Sequence, residues 1–194
     1  MPVIRVSYSI LSAWASGDFE RALAMYFHEP TPVSAAMAAG SKAHTNWEKE
    51  VISRAAMPAV FGGGALDQHQ TELRTKRELM LNDWLQLVGV LDVMEPTRGI
   101  DFKRSKRSAT GWATTKQHKV YQILYPSLKT FEYHCWNPYA IDPRDEVTMA
   151  ICHLTDKTLE EGVEFVLTYG SEIRDYLESN NLIKKEVVNA KANK

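Results

Sequence analysis

The chain has 194 residues, 44% of them hydrophobic and 24% charged, enough for one well-buried domain and too apolar for disorder over most of its length. Its two cysteines, Cys135 and Cys152, form no Cys-x-x-Cys and argue against a disulfide framework or a cysteine-built metal site. No apolar run approaches the roughly 18 residues of a membrane span, so a soluble cytoplasmic protein is expected. The net charge of −1 conceals an uneven distribution: Arg98 to Lys119 holds seven Lys/Arg against one acid, Asp101, a balance that suits either a solvated face or phosphate.

In chain order, Ser7 or Ser9 can cap a first short helix through Trp14, broken at Gly17-Asp18. Asp18 can cap a second, "FERALAMYFH", which stops before Pro30. Ser34 is placed to cap a longer helix, "AAMAAGSKAHTNWEKEVISRA", with Gly40, His44, Trp47, Val51 and Ala55 on one face. "FGGGALDQ" reads as a loop. From about Thr71 the pattern turns to strand: "TELRTKRELML" alternates, and "LQLVGVLDVM" is almost continuously apolar, as a strand covered on both faces would be. Pro96 to Gly99 turns the chain into a third strand, "IDFK". A helix over about Thr114 to Tyr125 follows, then strands "TFEYHCWN" and "EVTMAICHL", separated by a turn containing Pro138 and Pro143. A last helix starts near Thr158, where Thr158-x-x-Glu161 fits a capping box. Residues 184–194 form a polar tail. The whole reads as a single α/β domain over 1–194, with N-terminal helices in 7–60 and a core in 71–180: a central mixed β-sheet flanked by helices.

The charges within the apolar strands set the functional question. Side chains alternate along a strand, so Asp101 and Lys103 share a face while Phe102 and Ile100 take the other. Asp92 shares its face with Val88 and Val90. If the two strands are neighbours, Asp92 and Asp101 converge with Lys103 beside them. Two carboxylates that close need something positive between them, and hard divalent cations take such oxygen ligands. The alternative is a strand end with an exposed Asp–Lys pair of little energetic weight. His44 lies on the apolar face of its helix, as a core histidine or as a ligand approaching over the small Gly40. Gln117 and Tyr121, four apart on the next helix, are either a surface Gln with a half-buried Tyr or two donors aimed at a phosphate or base.

Taken together, Gly40-x-x-x-His44, Gly89-Val-Leu-Asp92, Asp101-Phe-Lys103 and Gln117-x-x-x-Tyr121 resemble, in order and spacing, the motifs of the PD-(D/E)XK nuclease superfamily. They are most similar to its RecB-type branch, which includes CRISPR-associated RecB-like exonucleases. "SYSILSAWASGDFERALAMYFH" also resembles the opening helices of that branch, so the likeness runs from about Ser7 to Tyr125. The resemblance implies a restriction-endonuclease-like core in which His44, Asp92 and Asp101 ligate Mg²⁺ or Mn²⁺, with the backbone carbonyl of Phe102 as a further ligand. It makes Lys103 the catalytic lysine beside the attacking water and gives Asp92 and Asp101 the rest of the chemistry. Gln117 and Tyr121 would help place DNA, and Glu78 would stand at the edge of the site. Cluster-bearing relatives carry a Cys near the end of the opening helix, where this chain reads Ser16-Gly17-Asp18, so no iron–sulfur cluster is expected.

The implied activity is a metal-dependent exonuclease acting on single-stranded DNA or DNA ends. Arg104, Lys106, Arg107, Lys116 and Lys119, with Trp112 between them, would supply backbone and stacking contacts. DNA is the expected partner, a protein partner or homo-oligomer is compatible with the chain, and a membrane is not. A DNA-binding accessory subunit and a restriction-type endonuclease are the alternative readings.

Overall fold

The computed structural model describes residues 2–29, 72–141 and 146–183. Six strands form one sheet: β1 (Ile4–Ser7), β2 (Glu72–Met80), β3 (Leu85–Met94), β4 (Arg98–Arg104), β5 (Thr130–Trp136) and β6 (Val147–His153). The helices are α1 (Tyr8–Ala15), α2 (Phe19–Tyr26), α3 (Ala109–Ala113), α4 (Gln117–Leu124) and α5 (Asp156–Ser179). The sheet is mixed, with β1/β3 and β4/β5 parallel and the other pairs antiparallel. This is the expected α/β architecture, a central mixed sheet flanked by helices.

Three local expectations need correction. The run "IRVS", passed over in the sequence, is a strand, and Ser7 ends it while capping α1 through the Ile10 N–H. Two isolated valine and isoleucine side chains are too short a pattern to separate from a helix lead-in; pairing with β3 decides the matter. The segment after β4 is two helices, α3 capped by Ser108 and α4 behind it, where the sequence suggested one helix from about Thr114. The last helix is capped by Thr155, whose reciprocal partner is Thr158; the box read at Thr158 and Glu161 lies one turn too late. The long helix expected after Ser34, with Gly40 and His44, lies outside the described residues.

The way β3 is paired matters most for function. Its residues 86–88 and 93–94 each have partners on both sides, one of them always β2. β1 and β4 therefore share the other edge, with β1 ending where Ser7 meets Val88 and β4 joining where Val93 meets Ile100. Among the described residues, no strand is paired with Gly89–Asp92 along that edge. The sheet is split there, at the stretch that carries the first carboxylate.

Beneath the split, the main core gathers Leu85, Leu87 and Leu91 of β3, Phe131 and Tyr133 of β5, Tyr121, Leu124 and Tyr125 from α4 and its end, and Val166 and Ile173 of α5. The opposite face is buried as well, through Val93, Ile100 and Phe102, beside a Glu132–His134 pair at 2.8 Å that Arg98 joins from 3.5 Å. Burial pulls the Glu132 carboxyl upward, but the hydrogen bond with His134 and the Arg98 charge together carry it below the usual range.

Candidate active site

The site is assembled from three elements. β3 brings Asp92 to the unpaired edge, β4 brings Asp101 and Lys103, and α4 lies over them with Gln117 and Tyr121. Continuing the register that pairs Val93 with Ile100 by one residue sets Asp92 across from Asp101. The ladder is not closed by backbone alone there: the Phe102 N–H donates to Asp92 Oδ2 at 2.9 Å. Asp92 thus uses one carboxylate oxygen to tie β4 to β3 across the split, and the strands on which the sequence reading depended are neighbours.

Asp101 is only 4% exposed, so its charge must be balanced locally. Gln117 Nε2 donates to its Oδ1 at 3.0 Å. Its Oδ2 meets the Lys103 ammonium at 2.6 Å. The ammonium also lies 4.8 Å from the centre of the Trp112 ring, whose other cationic neighbour is Arg107 at 5.3 Å. The electrostatic consequences reach the surroundings. Tyr121 has its phenol pushed far above the ordinary range, first by burial and then by the Asp101 and Asp92 carboxylates together. The Cys135 thiol is pushed up to about 12 by burial and by Asp101, with Lys103 opposing. His118, on the buried face of α4 and beside the Tyr133 hydroxyl, is driven down to about 4 by burial and by Lys119 and Lys116, and is neutral near pH 7.

Tyr121 does something the sequence did not suggest. Its hydroxyl donates to the Val90 carbonyl at 2.6 Å, a group on the stretch of β3 that is paired with β2 but has no described strand on its other edge. The Tyr thereby stands in for a missing ladder bond and holds the strand that carries Asp92. Removing the hydroxyl leaves that carbonyl without its donor, so Tyr121→Phe is expected to cost about 1 kcal/mol. Urea unfolding is the measurement: a lower midpoint at unchanged slope is the expected result.

The other expected residues divide. Arg104 lies over Trp136 at 5.3 Å and Tyr139 at 5.7 Å, and Lys106 over Tyr139 at 5.1 Å. With Arg107 on Trp112, these cations line the end of the sheet beside Lys103. Lys116 and Lys119 turn instead to Glu161 of α5, Lys116 at 3.5 Å and Lys119 in closer contact. Glu78 is paired with Arg5 at 2.6 Å and Lys76 at 2.7 Å in an exposed cluster, in register with Val88 and away from Asp92. A hydrogen bond from Lys76 holds its carboxyl below the usual range. His44 lies outside the described residues. Trp136 and Tyr139 were missed, although their signal was in plain sight: two aromatics in "CWNPY", beside the strand that leads into "KRSKRS".

The donor set fits a hard divalent cation. It offers two carboxylates across one strand gap, a nearby backbone carbonyl at Phe102, and the Gln117 Oε1, which is buried and has no hydrogen-bond partner among the described residues. Those residues contain no group of three or more His, Cys, Asp or Glu side chains placed to hold a metal ion, so protein ligands beyond the two carboxylates would have to come from carbonyls or from the segment that holds His44.

Compared by sequence, the chain matches no protein-family model and no curated protein. Compared by structure, it is similar to the alkaline exonuclease LHK-Exo from Laribacter hongkongensis, at a TM-score of 0.59 and 9% identity over 95% of each chain. The same protein in complex with dAMP gives a TM-score of 0.59 over 94% of each chain. A candidate exonuclease from Eubacterium rectale matches at 0.56 and 15% identity, over 92% of this chain and 82% of that one. At such identities the likeness establishes a shared fold.

Proposed function

We propose that this chain is a metal-dependent deoxyribonuclease of the PD-(D/E)XK type, a RecB-like exonuclease acting on single-stranded DNA or DNA ends. One observation carries the reading: Asp92, Asp101 and Lys103 meet at a break in the sheet, where a buried carboxylate–lysine pair faces a second carboxylate. A pair built only for stability would gain nothing from a second acid beside it, since like charges raise the cost of burial. The exonuclease names of the structural neighbours, one of them bound to dAMP, support DNA as the substrate class.

In this reading Asp92, Asp101, the Phe102 carbonyl and His44 hold Mg²⁺ or Mn²⁺. Such an ion, when bound, lowers the pKa of water and offsets charge on the phosphoryl oxygens. The chain's own residues do the rest. Gln117 fixes one rotamer of Asp101 by its 3.0 Å hydrogen bond. Asp92, tied to the Phe102 N–H, keeps β4 at a constant distance from β3. The Lys103 ammonium, confined between Asp101 and the Trp112 ring, presents positive charge where a scissile phosphate would gain negative charge. Arg104, Lys106, Arg107 and Trp112 receive the flanking backbone, and Lys116 and Lys119 stand behind them against Glu161.

The direct test uses the purified chain on end-labelled linear DNA, single- and double-stranded. Cleavage is expected with Mg²⁺ or Mn²⁺, to cease in EDTA and to return when the ion is restored in excess. Metal-independent cleavage, or none with either ion, would overturn the reading.

A further inference from the structure

The turn that follows β4 carries cations to both faces of the sheet. Lys103 points to the face that holds Asp101, whereas Arg104, the next residue, points to the other. There Arg104 is in register with Trp136, the last residue of β5, and its guanidinium lies 5.3 Å from that ring and 5.7 Å from Tyr139. Lys106 reaches Tyr139 from 5.1 Å. The aromatics are set by local bonds. Trp136 Nε1–H donates to Glu146 Oε1 at 3.2 Å, and Asn137 Oδ1 accepts from the Tyr139 N–H at 3.0 Å, an Asx turn that raises the ring beside Arg104.

Two features separate this ledge from ordinary surface. First, its cations have no carboxylate partner among the described residues. Arg5 and Lys76 are paired with Glu78, Arg98 with Glu95 and Glu132, and Lys116 and Lys119 with Glu161. Among the described residues, no carboxylate pairs with Arg104, Lys106 or Arg107. Second, Tyr139 is 56% exposed and Ile141 entirely so, which leaves a large ring and an apolar side chain facing water. Cations set against exposed aromatic rings match a polymer with alternating phosphates and π-faces, in which phosphates draw off the cations and bases stack on the rings.

We infer that Trp136 and Tyr139, with Arg104 and Lys106, form a base-stacking subsite for single-stranded DNA on the face of the sheet opposite Asp101; this rests on the nuclease reading above. Lys103 and Arg104 adjoin at the end of β4 but project to opposite faces, so a strand that reaches the ledge from Lys103 passes round the sheet end, and the subsite accepts nucleotides flanking the scissile one. A duplex cannot present its bases there, because they are already stacked on one another. The ledge therefore selects an unpaired strand.

The test measures binding without cleavage: fluorescence anisotropy of a fluorescein-labelled dT12 and of the same oligomer with abasic residues, both in EDTA with the full chain. The intact protein is expected to bind dT12 roughly tenfold more tightly than the abasic strand. Tyr139→Ala should erase that preference while leaving the thermal melt unchanged, since the ring is solvent-exposed, and Tyr139→Phe should keep it. Arg104→Ala should instead weaken both oligomers alike and lower the salt dependence by about one counterion. Equal binding of the two oligomers by the intact chain, or a preference that survives Tyr139→Ala, overturns the subsite. A chain that shows the dT12 preference but never cleaves with metal overturns the nuclease reading alone.

Discussion

Asp101→Ala and Lys103→Ala are each expected to lower DNA cleavage by about 10³-fold or more, with KM changing far less than kcat. The two residues are in contact at 2.6 Å and, in the proposed nuclease reading, serve the same phosphate, so the double variant should be little worse than either single one. Their effects on stability differ in kind. Lys103→Ala leaves Asp101, which is 4% exposed, with the Gln117 amide as its one remaining side-chain partner among the described residues, at an expected cost of about 1–3 kcal/mol. A divalent cation should restore that loss, because it replaces the missing positive charge and binds only the folded chain. Thermal melts with and without Mn²⁺ check this directly: the ion should raise the melting temperature of Lys103→Ala by more than that of the intact chain. Asp101→Ala removes a proposed ligand and should blunt the metal response. Asp101→Asn provides the control for shape, since it can retain a hydrogen bond to Gln117 without the charge. Cleavage at the intact rate by Asp101→Ala would end the catalytic assignment.

Gly162→Ala should destabilise the protein by about 2–4 kcal/mol, although helix propensity alone predicts the opposite sign. At an exposed helical position the exchange gains about 1 kcal/mol. Here a Cβ would sit 2.5 Å from the Lys119 carbonyl oxygen and 2.8 Å from its carbon, both backbone atoms of α4 that no rotamer change can move. The clash wins because α4 is held on its other side by the Tyr121 bond to Val90. A fall in melting temperature of roughly 5–15 °C is the expected reading for a domain of this size. Activity should fall further than stability explains, since α4 also carries the Gln117 that orients Asp101. An unchanged or raised melting temperature would mean that α4 and α5 cross more loosely than described.

Much of this was legible in the residues. The near-continuous apolar run of β3, the alternation in β4 and the proline-marked turn between β5 and β6 placed the central strands, because burial and backbone pairing leave short, strongly patterned segments few alternatives. Asp92, Asp101 and Lys103 stood out because charges in such runs are costly. β1 did not stand out: four residues carry too little pattern, and only the edge of β3 makes them a strand. Lys116 and Lys119 looked like the Arg104–Arg107 cations in a count of charges. What separates them is Glu161, 45 and 42 residues away in the chain, and sequence distance carries no such information.

The sequence by itself determined the chemistry available to this protein: an α/β core, two acids and a lysine at strand spacing, and a helix with a glutamine and a tyrosine four residues apart. Those follow from local rules of alternation and periodicity, which act over a few residues. Only the tertiary structure decided that β1 and β4 share one edge of β3 and leave a break between them. It set Asp92 across from Asp101, turned Gln117 onto the carboxylate and Tyr121 onto the strand, and left the cations around Trp136 and Tyr139 without carboxylate partners among the described residues. Each of these depends on which distant segments become neighbours, and that is fixed by burying the whole core at once.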